Sequence, residues 1–334
     1  MLTEETYFRL INYASKAPSL HNTQPWKFGR EEDAILLYPD LSRSLPVVDP
    51  DNHALFISLG CTLENLVVAA GHYGFDTTVE VRRGRIDDPL RVKLSPLPPL
   101  PDGAHAKYSA LFAQIKPRQV TKGTYKEDTL DRDTAGKIRE IPVEPGTNVR
   151  LILPGEESEK LLPLVVEGSD RQFGNKAFVR ELVDWLRFNE KEAIKKGDGI
   201  WNATMGLPAT GRAIGSFIMK RLVTPRSEAK RWKKLFRKSA GFVLFSVAQH
   251  DPEHWIRLGR SFQRFGLETT AMGLKHAHMN MPLEEELVRE KVSGAFDLGE
   301  MMPLLLLRIG YADPGPYSFR RNLYEMIAQQ HGQA

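Results

Sequence analysis

Two long segments of the chain repeat apolar residues at helical spacing, and they resemble each other. The first is "DPDNHALFISLGCTLENLVVAAGHYG" and the second is "DPEHWIRLGRSFQRFGLETTAMG". Each opens on Asp-Pro, a signal for the start of a helix, and each contains two glycines fourteen residues apart, Gly60 and Gly74 or Gly259 and Gly273. The pattern predicts an α+β unit that is present twice in the chain, with the two long helices packed against each other.

Shorter periodic runs predict the elements around these helices. Apolar residues three and four apart predict helices over 4–15 and 105–115 and a helical region over 156–196. Alternating or continuous apolar runs predict strands at "DAILLYPD", "TTVEVRR", "LRVKLSP", "NVRLIL", "GFVLFSVA" and "PLLLLRIGYA". The proline-rich stretch at 96–104 predicts a linker, because proline stiffens the chain and removes a backbone donor.

Length and composition fit two such units in a soluble protein. The 334 residues exceed the usual length of one domain, so we expect a first half at 1–100 and a second half at 101–334. The N-terminus lacks the pattern of a signal peptide, and no apolar run approaches the roughly 18 residues of a membrane span. We therefore expect a cytoplasmic protein with no membrane partner, in which the single cysteine, Cys61, is a buried thiol within an apolar stretch.

The charge of the chain favours an anionic small molecule over nucleic acid as its ligand. The net charge is +4 with a pI near 9.0, and the basic residues are scattered along the sequence. The densest exception is "KRWKKLFRK" at 230–238. It is either a solvated helix face with apolar anchors or a surface for a phosphate or a nicotinamide cofactor.

Metal chemistry and the common nucleotide-binding motifs are not indicated. The sequence has no GxGxxG, Walker, GxSxG or HExxH motif. The histidines of "HAH" at 276–278, with His250 and His254, are expected at the surface and at helix ends, with no metal bound.

The stretch "KAPSLHNTQPWKFG" at 16–29 concentrates hydrogen-bonding side chains where neither a helix nor a central strand is possible. Pro18 and Pro25 stiffen it, Ser19 and Asn22 can donate or accept hydrogen bonds, and Trp26 is expected to anchor it in the core. Such a loop either caps itself as a turn or binds the polar edges and the phosphate of a flavin.

The run "APSLHNTQPWKF" resembles the loop of the nitroreductase family of FMN-dependent oxidoreductases, in which A-P-S-x-x-N-x-Q-P-W follows the first helix. The stretches "LYPDLSRSLPVVDPDNHALFISLGCTLENLVVAAGHYGF", "WLRFN" and "GDGI" are similar to the Acg-type branch, whose single chain carries two nitroreductase halves. The resemblance implies a nitroreductase-like three-layer α+β fold present twice as an internal pseudo-dimer, with the long central helices at its interface.

The resemblance also implies which residues bind the flavin. "RQVTK" matches the two ends of the family's R-x-S-x-R/K run, with Val120 in place of the serine and Thr121 beside it; the alternative is two solvated loop cations. "WLRFN" offers an asparagine for the ring, "MNMPLE" falls where the family passes backbone over the ring, and "YSFRRNL" matches the basic segment near the phosphate. The implied cofactor-binding residues are Pro18, Ser19, Asn22, Gln24, Arg118, Lys122, Arg187, Asn189, Met281, Pro282, Arg320 and Arg321.

Each half carries only part of these motifs, so one FMN per chain is expected, in a monomer with an internal pseudo-dimer or in a weak homodimer. The resemblance implies that NAD(P)H reduces the flavin, which passes electrons to a nitroaromatic, a quinone or a similar small-molecule acceptor. No catalytic side chain can be named. One alternative is a flavin-storing protein in which the segment 197–225, rich in Gly and Pro, forms a lid that blocks nicotinamide. Another is a flavin-consuming or dehydrogenating relative.

Overall fold

The computed structural model describes residues 2–81, 85–97 and 106–328. Its α-helices are α1 (Glu4–Ala14), α2 (His53–His72), α3 (Ala106–Ile115), α4 (Arg132–Arg139), α5 (Glu156–Glu159), α6 (Leu161–Gly174), α7 (Lys176–Trp185), α8 (Glu190–Lys196), α9 (Arg212–Arg221), α10 (Pro225–Arg237), α11 (Pro252–Ala271), α12 (Met281–Glu284) and α13 (Glu286–Ala295). Its strands are β1 (Trp26–Arg30), β2 (Ala34–Pro39), β3 (Phe75–Val81), β4 (Leu90–Pro96), β5 (Thr147–Ile152), β6 (Leu186–Arg187), β7 (Ile200–Trp201), β8 (Gly241–Val247), β9 (Lys275–His278) and β10 (Met302–Gly310). Short 3₁₀ helices span Leu20–Asn22, Leu41–Arg43, Asn202–Met205 and Leu323–Met326.

Within the described residues, the strands form two four-stranded antiparallel sheets and one short parallel pair, β6 with β7. The first sheet has the order β1-β2-β4-β3 and the second has the order β5-β8-β10-β9. Counted along the chain, both orders read first, second, fourth, third, and in both a 20-residue helix lies between the second and third strands. The predicted mixture of helices and sheets is confirmed, and the two sheets share one topology.

The two long helices, α2 and α11, touch through their backbones. A Cβ atom on Gly60 would lie 2.1 Å from the carbonyl oxygen of Ile256, and one on Gly259 would lie 2.0 Å from that of Ile57. The Cys61 thiol donates to the Gly259 carbonyl at 3.3 Å, and burial raises the pKa of this thiol. The glycines therefore allow a close approach that any larger residue would prevent, and Cys61 is the buried thiol that its apolar surroundings predicted.

A buried carboxylate links the two helices further. Glu64 on α2 is 2% exposed and pairs with Arg260 at 3.0 Å and with Arg264 at 2.7 Å, both on α11. The same two arginines pair with Glu144 at 3.1 and 2.8 Å. Each charge is thus opposed by its partners, as a buried ion-pair network requires.

Helix α2 has the length and apolar composition of a membrane span, with a mean hydropathy of 1.6 over its most apolar window, although the sequence predicted no such run. The protein buries 94% of that window, which is the environment of a core helix. Its apolar character therefore reflects contact with α11, α1, α3 and the first sheet.

The structure departs from the predicted elements in a few places. The end of the polar loop continues as the edge strand β1, and the strand β6 interrupts the predicted helical region. No element was predicted at α4, α9, α12, α13, β7 or β9. Most of the predicted linker lies outside the described residues. Weak periodicity over short segments explains the missing assignments, since tertiary pairing decides such stretches.

Candidate functional site

The polar loop between α1 and β1 is held in an unusual backbone conformation. His21, Asn22 and Gln24 all have positive φ angles, of 48°, 55° and 51°. The Ser19 hydroxyl accepts a hydrogen bond from the Gln24 backbone amide at 2.9 Å, and Trp26 is fully buried, as predicted. Three left-handed non-glycine residues within four positions are rare and store strain, a feature of functional loops.

Asn22 joins this loop to two distant segments. Its Nδ2 donates to the carbonyls of Gly199 at 3.2 Å and Phe319 at 3.1 Å, and its Oδ1 accepts from Nη1 of Arg320 at 3.1 Å. The contacts span 177 to 298 positions along the chain. The loop is therefore not a self-capped turn but the meeting point of three chain segments.

Gln24 makes the same kind of connection. Its Nε2 donates to the Gly197 carbonyl at 2.8 Å, and its Oε1 accepts from the backbone amide of Arg321 at 2.9 Å. The Arg321 side chain donates to the Gln24 carbonyl at 3.0 Å and lies 3.8 Å from Asp40. The charge of Arg321 is thus partly neutralised, unlike that of its neighbour Arg320.

Arg118 and Arg320 converge on the loop without a carboxylate partner among the described residues. Both donate to the Lys16 carbonyl, Arg118 at 3.2 Å and Arg320 at 3.1 Å, while Nε and Nη1 of Arg118 are buried with no partner at all. Burial lowers the pKa of Arg118 to about 10, and burial together with the charge of Arg118 lowers the pKa of Arg320 to about 9. Both guanidinium groups remain charged at neutral pH.

One further cation, Lys122, extends this positive region. Two imidazoles, those of His21 and His278, lie close enough to feel its charge. Burial, followed by the charge of Arg231, lowers the pKa of Lys122 to about 8. Burial and the charge of Lys122 lower the pKa of His21 to about 3 and that of His278 to about 4. Their side chains are half-buried, and both imidazoles are neutral at pH 7.

His276 is buried, which corrects the expectation of surface histidines at 276–278. It is 1% exposed on the edge strand β9, which pairs with Val120, and neither of its ring nitrogens has a partner. Burial and the charge of Arg118 lower its pKa well below the ordinary value. The sequence signal that could have revealed it is the alternation of "KHAH", which is typical of a strand with two imidazoles on one face.

The other two isolated histidines lie where they were expected. His254 Nδ1 contacts Asp251 at 2.9 Å beside the start of α11, and His250 Nε2 contacts Asp51 at 2.8 Å. One group of potential metal ligands lies near the latter in the described residues, formed by Asp49, Asp51 and His53. The Asp49 carboxylate accepts from backbone amides of α2, so this group caps a helix.

The polar groups of Arg187 and Asn189 form hydrogen bonds to other residues of the protein. Arg187 is buried and pairs with Asp198 at 2.6 Å, and Asp198 also pairs with Arg43. Asn189 Oδ1 accepts from the Glu192 amide at 3.0 Å at the start of α8, and its Nδ2 donates to a carbonyl at 3.1 Å. Arg187 therefore holds the segment around 198, and Asn189 caps α8 and holds the carbonyl of Thr210, roles that their local sequence did not reveal.

Met281 and Pro282 are buried against α6. A Cβ atom on Gly168 would lie 2.6 Å from the carbonyl carbon of Met281 and from the nitrogen of Pro282. Met281 belongs to a separate apolar cluster that includes Val165 and Leu283. Pro18 is also buried, at the start of the polar loop. The residues brought together are thus Ser19, Asn22, Gln24, Arg118, Lys122, Arg320 and Arg321, at the junction of both halves.

The chemistry of this junction is that of an anion site. Its groups are cations, amide donors and neutral imidazoles, and several buried donors have no partner among the described residues. An uncompensated buried charge is unfavourable by several kcal/mol, so a bound anion such as a phosphate is the group that would satisfy these residues.

Comparison with known proteins supports the resemblance of the loop. The chain is 25% identical over 335 aligned positions to a Mycobacterium tuberculosis protein with the provisional name NAD(P)H nitroreductase Rv3131, covering 97% of this chain and 91% of that protein. It is also 32% identical over 92 positions to the Mycobacterium tuberculosis protein provisionally named NAD(P)H nitroreductase acg, covering 28% of each. The chain is therefore similar along nearly its whole length to proteins named as nitroreductases. The predicted resemblance to nitroreductases, Acg among them, is confirmed, while no family model matches the chain.

Solved structures of nitroreductases align with part of the fold. The FMN-dependent nitroreductase NfnB from Mycobacterium smegmatis, in complex with NADPH, is 15% identical with a TM-score of 0.42 and covers 67% of this chain and 99% of its own. The NADPH:FMN oxidoreductase from Vibrio harveyi, complexed with NAD⁺, is 10% identical with a TM-score of 0.39 and covers 67% of this chain and 79% of its own.

Proposed function

We propose that this nitroreductase-like chain binds one FMN at the loop junction and passes electrons from NAD(P)H through it to a small acceptor such as a nitroaromatic or a quinone. The observation that carries the proposal is the pair formed by the buried Arg118 and the half-buried Arg320, which lie beside the loop without a carboxylate partner among the described residues. The unpartnered Nε and Nη1 of Arg118 fit a phosphate monoester, which accepts paired hydrogen bonds from a guanidinium group.

The basic residues of the junction would hold the phosphate of the cofactor. Arg118, Lys122 and Arg320 would bind the phosphate, with the Ser19 hydroxyl offering a further polar contact from the rigid loop. Asn22 already donates both amide protons to the carbonyls of Gly199 and Phe319, so it would position the loop and Arg320. His278 would lie close by as a neutral donor or acceptor. The serine of the family's basic run is replaced by Val120, and the hydroxyl of the adjacent Thr121 already donates to Gln119 at 3.3 Å.

When bound, FMN supplies the hydride chemistry, so the reaction needs no side-chain nucleophile. The chain contributes binding, orientation and charge. Its cations favour electron density on a group placed next to them, because fixed positive charges in a low-dielectric site need no reorganisation. Among these cations, Asn22 holds Arg320 in place, while Gln24 holds the neighbouring Arg321.

The identical strand order of the two sheets favours the internal repeat implied by the resemblance. We infer that residues 1–100 and 101–334 are two copies of one ancestral unit, joined through α2 and α11 as an internal pseudo-dimer. The polar loop comes from the first copy and the "RQVTK" run from the second, so each chain would assemble one site. Such a chain can act as a monomer or a weak homodimer in the cytoplasm.

The number of flavins bound per chain, and the loss of flavin affinity in variants, test the site. We expect one FMN per chain after reconstitution, and a loss of affinity of about ten- to hundredfold in Arg118→Ala and Lys122→Met, since each removes a charge-assisted hydrogen bond worth about 1.5–3 kcal/mol. The matched control is Lys93→Met, which removes a half-exposed lysine paired with Asp33 at 3.6 Å. Asn22→Gly removes the side chain but permits the positive φ angle, so it also separates binding from loop strain.

The melting temperature of the flavin-free variants separates loss of binding from loss of folding. Removing an unpaired buried cation should leave the flavin-free Arg118→Ala protein as stable as the parent, or more so. Two flavins per chain, or undiminished binding in both Arg118→Ala and Asn22→Gly, would contradict the assignment.

A flavin-storing protein with a lid is the second candidate, because the segment 197–225 adjoins the loop. Gly199 accepts from Asn22, Gly197 packs against the backbone of Arg320, and the ring of Trp201 lies 5.2 Å from that of Phe319. Anaerobic mixing of the FMN-loaded protein with NADPH or NADH distinguishes the two. Bleaching of the visible flavin band favours the enzyme, whereas a flavin reduced by dithionite alone favours storage.

A further inference from the structure

Helix α9 presents an apolar stripe to solvent. Ile214, Phe217 and Leu222 are 62%, 59% and 61% exposed, and Ile218 between them is 36% exposed. Their spacing of three and four places all of them on one side of the helix and its end. We call these four residues the α9 stripe.

The flank of α9 beside the stripe, which carries Gly215 and the partly buried Met219, is the one that meets the protein. Gly215 is the buried residue of this helix, and a Cβ atom there would lie 2.1 Å from the ring of Phe188. The helix is therefore held against the body through its glycine side, and its apolar side has no partner within the described residues. A helix in a soluble protein normally has the reverse orientation.

The charge around the stripe has one sign. Residues 212–238 contain ten Lys and Arg residues and one acidic residue, Glu228, which pairs with Arg231 at 3.2 Å. The cations with no ion-pair partner among the described residues are Lys220, Arg221, Arg226, Lys230, Lys233 and Lys234. Two of them lie on α9 itself, next to the stripe.

An apolar stripe flanked by free cations matches an anionic lipid surface. Amphipathic helices of this kind lie in the membrane interface, with aliphatic and phenylalanine side chains among the acyl chains and Lys or Arg among the headgroups. A second copy of the chain would bring like charges together in a self-complementary contact. Nucleic acid would leave the three aliphatic side chains unmatched. We propose that α9 and the start of α10 form a docking surface for anionic lipid bilayers.

Sedimentation with vesicles tests this surface on the full chain loaded with FMN. Vesicles of phosphatidylcholine alone are compared with vesicles containing about one third phosphatidylglycerol, which carry the negative surface potential that polybasic segments bind. We expect binding to the anionic vesicles only, weakened when salt rises from about 0.1 M to about 1 M and the Debye length falls from about 10 Å to about 3 Å. The double variant Ile214→Ser with Phe217→Ser should bind at least tenfold more weakly, as should Lys220→Glu with Arg221→Glu.

The control is Leu287→Ser, which removes another large apolar side chain, 57% exposed on α13. It should bind vesicles like the parent, and melting temperatures confirm that all variants are folded. Absence of binding to anionic vesicles, or equal binding by the stripe variant, would overturn the proposal. It would also be overturned if sedimentation velocity showed a dimer of the parent that the stripe variant converts to a monomer, since the stripe would then be a self-association surface.

Discussion

The site is built from cations that the chain does not neutralise. Arg118 is buried and Arg320 is half-buried near the polar loop. Arg308 is buried as well, with Nη2 donating to the Gly123 carbonyl at 2.6 Å and its guanidinium 3.9 Å from the centre of the Tyr125 ring. Burial lowers the pKa of all three arginines. Desolvated cations destabilise the flavin-free fold, so a phosphate that pairs with them should stabilise the protein as well as bind to it.

The lowered pKa of Lys122 predicts a pH dependence of FMN binding. Because its pKa is about 8 in the flavin-free protein, the ammonium group loses its proton as the pH rises from about 7 to about 9, and affinity for the phosphate should fall about tenfold. Fluorescence titration of FMN at several pH values measures this. Lys122→Arg, which keeps its charge over the whole range, should bind with little change.

The same lowered pKa has the opposite effect on the stability of the flavin-free protein, which should rise with pH while the FMN affinity falls. The pKa of Lys122 is below that of an unfolded lysine, so the flavin-free protein should gain stability as the pH rises from about 8 towards 10.5, and the Lys122→Arg variant should not. An equal loss of FMN affinity in both proteins would place the titrating group elsewhere.

At the scale of elements, the contact between α2 and α11 holds the two sheets together. Gly60 and Gly259 bring the helix backbones so close that each lies against a carbonyl of the other helix. Glu64 and its two arginines then fix the helices beside this contact. The glycine contact fixes the distance between the helices and the ion pairs fix their register, since a slide of either helix along its axis would separate the buried charges.

A methyl group at either glycine should force these helices apart. A Cβ atom at Gly60 or Gly259 would lie within 2.1 Å of a backbone oxygen, which cannot move without displacing a helix. We expect Gly60→Ala and Gly259→Ala each to lower the free energy of unfolding by about 3 kcal/mol, the upper range for overpacking. Urea denaturation measures this change.

The matched control is Gly136→Ala in α4, where a Cβ atom would meet nothing within 4 Å. That change should raise the free energy of unfolding by about 0.5–1 kcal/mol, because alanine is the better helix former. If all three variants behaved alike, helix propensity and not helix contact would explain the effect.

At the scale of the molecule, the two predicted halves share one core. A single apolar cluster includes Trp26 and Phe56 from the first half and Phe245, Phe262 and Leu305 from the second. Helix α2 buries 17 of its 20 residues, which its own sheet cannot cover on every side. The halves therefore correspond to a repeated topology and not to independent folding units.

Residues 1–97 alone should consequently not fold. We expect the isolated fragment to aggregate, or to lack a cooperative thermal transition in circular dichroism, because the face of α2 that α11 covers becomes exposed. As the control, a full chain cleaved at a protease site inserted between 97 and 106 should remain associated in size-exclusion chromatography. A soluble, cooperatively melting 1–97 fragment would show that the first half is autonomous.

Local sequence predicted the elements in which apolar residues repeat with the period of a helix or of a strand. The spacing within α2 and α11, the apolar run of β10 and the dense loop around Asn22 were all readable because they depend on neighbours in the chain. Strand β9, with four residues, was not, since its extended form comes from pairing with β10. The alternation of "KHAH" is a signal for this strand, but the burial of His276 on it depends on the pairing with β10.

The sequence by itself determined the two long helices, the glycines that let them touch, and the loop whose motif marks the family. Only the tertiary structure decided which charges are free. Arg187 and Arg118 look alike in sequence, yet Arg187 meets Asp198 while Arg118 meets no carboxylate. The physical reason is that neutralisation depends on distances between segments far apart in the chain, and these distances are set by the packing of α2, α11 and the two sheets.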